Sequence, residues 1–208
     1  KEIQPITKGD FDYISPVGTD LQKGWVYFIA SPDNFTQRYL YRAKAFGNGE
    51  VERVSPMEQS GQHRYNMSPT GKWAIHTYSN ASTPSVIDMV SFPKHQSVRM
   101  LEDNAQAKDQ YAALGLNPKG NLTLDAWMIK PVDFDASKKY PVIIEVYGEP
   151  ASATVQDVWG NGDLWQQYMA NQGYIVVSIE NRGANTPRGR EWRKCIYGEV
   201  GTFASEDQ

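Results

Sequence analysis

The stretch YPVIIEVYGEP, residues 140–150, carries Tyr147 into a sharp turn directly after a run of strand-forming residues. A phenol keeps its proton at neutral pH and can donate a hydrogen bond to an oxyanion that develops during a reaction. The same ring at a strand end can instead close over a hydrophobic core. The residues of this segment alone leave both readings open.

No second group completes a self-sufficient site around Tyr147. The chain has no G-x-S-x-G elbow, HExxH helix, Walker A loop or GxGxxG turn. His63, His76 and His95 lack the carboxylate or cysteine spacing of a metal site and read as surface or packing residues. Cys195 is the one cysteine, which excludes an internal disulfide or a cysteine-based zinc cluster and reads as a half-buried thiol on a helix. Asn34, Asn66, Asn80 and Asn121 each open an N-x-S/T triplet, a glycan acceptor only in a eukaryotic secretory route, and chance and turn preference explain these more cheaply. No metal or cofactor is expected.

Composition narrows the class. With 208 residues, 40% of them hydrophobic, the chain can build one large domain or two small ones. Its 21 basic and 24 acidic side chains give a net charge of -3 without a basic block, which argues against a nucleic-acid partner. Apolar runs of about six residues fall far short of the roughly 20 that span a bilayer, so no membrane span is expected. The opening KEIQPITKGD is polar and reads as no signal peptide.

The elements that must position Tyr147 change character near residue 104. Up to that point GWVYFIASP, RYLYRAKAFGNGEVERVSP, HRYNMSPTGKWAIHTYS and PSVIDMVSF are short aromatic and β-branched runs separated by turn residues, the pattern of antiparallel sheet. Trp73, Ile75 and Thr77 alternate onto one strand face. One such unit covers about 12–55 and another about 60–103, close to the roughly 40–50 residues of a four-stranded propeller blade. Two blades cannot close a ring of about four to eight, so the N-terminus is expected to lie inside a larger propeller. Beyond a helical segment and linker in EDNAQAKDQYAALGLNPKG, NLTLDAWMIKP reads as a strand and VIIEVYG as a strand buried on both faces. GDLWQQYMANQG is predicted as a helix with Leu164, Tyr168 and Met169 or Trp165 on its apolar face, YIVVSIENRG as a second buried strand, and GREWRKCIYGEVG and FASEDQ as helices. A strand, helix, strand order is the crossover unit of an α/β fold.

Taken in order, GWVYFIASP, RYLYR, MSPTGKWAIHTYS, LEDN, SKKYPVIIEVYGEP, NRGANTPRGREWR and GTFASEDQ resemble the prolyl oligopeptidase family of serine peptidases, in its dipeptidyl peptidase IV branch. The resemblance implies a mixed fold, with antiparallel β-propeller blades followed by part of an α/β-hydrolase whose mixed, mostly parallel sheet carries helices. It assigns 1–103 to about two final blades, 104–120 to a helical linker and 121–208 to the start of the hydrolase domain. It implies acyl-enzyme hydrolysis releasing N-terminal dipeptides after proline or alanine, peptide substrates, and a location on the periplasmic or extracellular side. It also admits a homodimer of the full-length protein. Tyr147 takes the position of the family's oxyanion-hole hydroxyl. The serine, aspartate and histidine of the triad, and the acidic residues that grip the substrate amino terminus, fall outside these 208 residues. The other reading is a non-catalytic relative that keeps the architecture as a binding module.

Two departures accompany the likeness. Glu149 stands where the family commonly has a second glycine, and a side chain there would be strained if the turn demanded positive φ. Glu180 occupies a position near the arginine where many relatives carry aspartate. Arg182 is predicted to hold its loop by pairing with Glu206 or Asp207, against the alternative of a solvated arginine.

Overall fold

A computed structural model of the chain describes residues 5–113, 125–160 and 164–208, without the side chains of 111–113. It divides into two compact units, Lys1–Asn80 with Ser85–Asn104, and Ala81–Pro84 with Ala105–Gln208. The predicted strand residues 121–124 and linker residues 114–120 lie outside the described residues.

In the first unit, β1 (Tyr13–Asp20), β2 (Trp25–Ala30), β3 (Tyr39–Lys44) and β4 (Val51–Arg53) form one four-stranded sheet in chain order. A second sheet in chain order follows from β5 (Gln62–Met67), β6 (Trp73–Asn80), β7 (Thr83–Ser91) and β8 (Gln96–Glu102). These sheets fall within the segments read as 12–55 and 60–103, and their paired strands are antiparallel. Side chains alternate across a strand, so the central β2 and β3 feed two cores at once. Phe28 and Ala30 pack with Tyr39, Tyr41 and Ala43 on one face. Tyr27, Ile29 and Leu40 pack on the other, against Tyr65 and Met67 of β5 and Phe92 just past β7.

The face carrying Trp73 and Ile75 is the outward one, while Ala74 and His76 between them are buried. Alternation identifies two faces, but only the neighbouring sheet decides which of them is covered.

The second unit contains α1 (Ala105–Ala113), β9 (Ala126–Ile129), β10 (Val142–Glu145), α2 (Leu164–Asn171), β11 (Ile175–Ile179), α3 (Gly189–Lys194) and α4 (Thr202–Asp207). Its sheet has the order β10-β11-β9, with β11 parallel to β10 and antiparallel to β9. Among the described strands the sheet is therefore mixed in equal parts rather than mostly parallel. Ile129, Ala170 and Val176 form its core with Trp127, Ile143 and Met169 packed around them.

Three local expectations change. The β10 strand is an edge, and Val142, Ile144 and Val146 face outward rather than being buried on both sides. Helix α2 turns Leu164, Trp165 and Tyr168 outward and buries Gln166, Gln167 and Ala170, because small Ala170 is the residue that joins the sheet core. Cys195 lies at the cap of α3 with an exposed thiol rather than half-buried. No helix among the described residues is long and apolar enough to cross a membrane.

Candidate functional site

Tyr147 lies two residues past β10, on the loop that leaves the end of the strand. The next residue, Gly148, has φ +75°, and a Cβ there would meet only Val146 Cγ1 at 3.6 Å. Space is available; the left-handed backbone is what favours glycine at this position. His95 and Asn104 are the only described non-glycine residues with positive φ, so Glu149 carries none of the strain that its side chain would suffer there. One glycine suffices for the turn, and it is the one this chain retains.

The Tyr147 side chain is 45% exposed. Among the described residues, no hydrogen-bond partner meets its hydroxyl.

The loop behind Tyr147 is tied to the sheet by side chains from several elements. Ser178 on β11 donates from Oγ to the Glu145 carbonyl at 2.9 Å, and its Oγ lies 3.1 Å from Thr154 Oγ1. Trp127 Nε1 on β9 donates to the Thr154 carbonyl at 3.1 Å. Glu180 Oε2, just past β11, accepts the Val155 N–H at 2.9 Å. Gln166 Nε2 on α2 donates to Glu145 Oε2 at 2.6 Å. Glu180 is almost fully buried, and desolvation raises its pKa although the N–H groups of Val155 and Thr154 and the charge of Arg188 oppose the shift.

Arg182 follows Glu180 on the same exit loop. Its Nε donates to Asp207 Oδ1 at 2.9 Å and its Nη2 to Glu206 Oε2 at 3.0 Å, so both predicted partners are engaged. Its guanidinium also lies 4.4 Å over the Phe203 ring. Neighbouring Gly183 has φ +86°, and a Cβ there would come within 2.5 Å of Ile196.

The histidines gather in the first unit. His63 and His76 are buried, with His63 Nδ1 and His76 Nε2 2.9 Å apart, and His76 Nδ1 donates to Asp88 Oδ1 at 2.9 Å. His63 Nε2 lies 2.9 Å from the Gln59 carbonyl, and Tyr65 Oη lies 2.8 Å from His95 Nε2. Rings of His63 and His76 stack at 5.2 Å, and Tyr65 stacks on His76 at 4.6 Å. Desolvation pushes His63 down to about 3 and His76 down to about 4, the Asp88 carboxylate opposing the shift at His76. These are packing histidines, as read from the sequence, but the file of hydrogen bonds joining them to Asp88 was not anticipated. A legible signal was present: His63-x-Tyr65 and His76-x-Tyr78 each put a histidine and a tyrosine on one strand face. No described group of three or more His, Cys, Asp or Glu could hold a metal ion.

Residues 1–85 match the dipeptidyl peptidase IV (DPP IV) N-terminal region. A probable dipeptidyl-aminopeptidase B of Emericella nidulans is 32% identical over 213 residues, covering 98% of this chain and 23% of the relative. The protein of that description from Neurospora crassa is 31% identical over 215 residues with the same coverage. The crystal structure of Porphyromonas gingivalis dipeptidyl peptidase 4 aligns with a TM-score of 0.87 at 32% identity, over 98% of this chain and 29% of that one. The chain thus spans 23% of the length of these fungal relatives and 29% of the bacterial structure.

Proposed function

The chain is dipeptidyl peptidase IV-like over nearly all of its length, and from that premise we propose that it forms part of a serine exopeptidase releasing N-terminal dipeptides after proline or alanine. Residues 1–103 contribute propeller blades, 104–120 link them onward, and 121–208 begin an α/β-hydrolase domain. Chemistry follows the acyl-enzyme route, with the serine, aspartate and histidine supplied by a segment outside these residues. Peptides are the substrates.

Within this chain Tyr147 is the catalytic residue, donating its hydroxyl to the oxyanion of the tetrahedral intermediate. In α/β-hydrolases one oxyanion donor comes from the residue after the nucleophile and another from a loop at a strand end. What supports the assignment is a single observation: the phenol is 45% exposed at the exit of β10, on a loop whose following residues are pinned by Ser178, Trp127 and Glu180. A donor that is fixed before the charge develops needs no reorganisation during the reaction, and that is the source of its catalytic value.

Tyr147→Phe in the full-length protein tests this. Loss of one oxyanion donor typically lowers kcat by about 10² to 10³. The expected result is that loss with unchanged substrate binding and an unchanged melting curve. Wild-type kcat in the variant would return Tyr147 to a packing role.

A further inference from the structure

The loop that carries Tyr147 has a buried carboxylate at its far end. Glu180 is 2% exposed, and its Oε2 accepts the Val155 N–H at 2.9 Å. A backbone N–H therefore meets a charged acceptor, an arrangement in which the hydrogen bond is stronger than a neutral one. Glu180 is itself held from behind: its own N–H donates to the Asp125 carbonyl at 2.8 Å, and Asp125 pairs with Arg188 Nη2 at 2.8 Å.

A buried carboxylate is costly unless it is well hydrogen-bonded. A neutral apolar residue would fill the same space without that cost, so the charge needs another reason. Residues 146–155 form one excursion, leaving the sheet at Glu145 and coming back beside the end of β11 at Val155. The start is tethered through the Glu145 carbonyl to Ser178 on β11. The return is tethered through Val155 to Glu180, which directly follows Ile179 at the end of the same strand. Ser178 and Glu180 are two apart on the exit of β11, so their side chains leave on the same side.

We infer that Glu180 is a positioning residue for Tyr147: by clamping the backbone at Val155 it fixes the excursion from which the Tyr147 hydroxyl is presented to the oxyanion. This rests on the catalytic reading of Tyr147. A charged carboxylate oxygen accepts the Val155 N–H more strongly than a neutral acceptor would. Glutamine of the same size removes that charge and replaces one of the two acceptor oxygens by a donor.

The test is a double-mutant cycle in the full-length protein, read as kcat and KM on a chromogenic dipeptide amide with proline as its second residue. A 1 Å misplacement of a reacting group can cost about 10²-fold, so Glu180→Gln is expected to lower kcat by about 10- to 100-fold with little change in KM. In the Tyr147→Phe background, where no hydroxyl remains to be misplaced, the same change should lower kcat by less than about 3-fold, the non-additivity of residues acting through one another. Equal losses in both backgrounds, or wild-type kcat in Glu180→Gln, would overturn the positioning role while leaving Tyr147 intact. Wild-type kcat in Tyr147→Phe would instead remove the catalytic reading and this inference with it. Should Glu180→Gln not fold, Glu180→Asp keeps the charge one methylene short and carries the same comparison.

Discussion

Arg182 and Asp207 are joined twice, the backbone N–H of Arg182 donating to Oδ2 at 2.7 Å and its Nε to Oδ1 at 2.9 Å. Glu206, the other partner, is 57% exposed at its side chain against 11% for Asp207. Solvent-exposed pairs contribute little, so Asp207→Asn is expected to lower the denaturant midpoint of the full-length protein at neutral pH more than Glu206→Gln does. Partial burial would raise the Asp207 carboxyl, but the Arg182 hydrogen bonds outweigh it and hold the group below the usual aspartate value. A lowered folded value means the pair's stability is fully present above the unfolded aspartate value of about 3.9 and is lost as pH falls through the folded one. Wild type should therefore lose midpoint below about pH 4 more steeply than Asp207→Asn. Parallel acid limbs would contradict the linkage.

The stacked histidines carry the opposite kind of pH signature from a histidine that gains a charged partner. Burial lowers His63 to about 3 and His76 to about 4, so in the unfolded chain, where histidine titrates near about 6.5, more protons are bound at mildly acidic pH. Stability contributed by these sites is full above about pH 6.5 and declines as pH falls from there toward the folded values, by up to about 1.4 kcal/mol per pH unit for each histidine. Urea midpoints at successive pH values should show this slope, and His63→Gln with His76→Gln should flatten it. Imidazole NMR signals of His63 or His76 that titrate above about pH 6 would contradict it.

Gly183 combines φ +86° with contact distances below 3 Å from a Cβ to Ile196. Gly183→Ala is expected to destabilise by about 1–3 kcal/mol through backbone strain and overpacking together. Adding Ile196→Ala relieves the overpacking only, so the alanine at residue 183 should cost less in that background while still costing something. Equal melting temperatures of wild type and Gly183→Ala would show that the loop yields freely.

The 208 residues expressed alone are expected to lack peptidase activity, because an oxyanion donor without an activated serine has nothing to stabilise. Their β10 edge also exposes Val142, Ile144 and Val146, an invitation to pairing between chains. A serine-directed fluorophosphonate should leave the purified segment unlabelled, and stoichiometric labelling would reveal an overlooked nucleophile. Ile144→Lys should reduce its self-association, measured by light scattering.

Strand alternation and turn residues made the two four-stranded sheets and the β10, α2, β11 order readable in advance, because each rests on local periodicity. Which face is covered was not readable. Trp73 and Ile75 on β6, like Leu164 and Tyr168 on α2, line up as apolar stripes that point away from the described cores. Periodicity reports an amphipathic side, whereas burial depends on what lies opposite. Tyr147 could be singled out from its turn and its family likeness, but Glu180 could not be. Its role depends on a contact with Val155, 25 residues away in sequence, and one polar residue among many in a loop announces no such partner. Arg182 was easier, since an arginine facing two adjacent acids forms a pair whichever of them is nearer.

The order β10-β11-β9 sets the two units on different folding schedules. In β1–β4 each strand pairs with the one just before it, so that sheet can grow hairpin by hairpin as the chain emerges, on the microsecond scale of such events. β9 and β10 are consecutive yet do not touch; β11, arriving after α2, inserts between them. Neither early strand has a partner until the late one is made. The second sheet therefore waits on the non-local pairing of β11, and non-local closure is what slows folding. During synthesis the Tyr147 loop is left without its anchors on Ser178 and Glu180 until β11 has been translated.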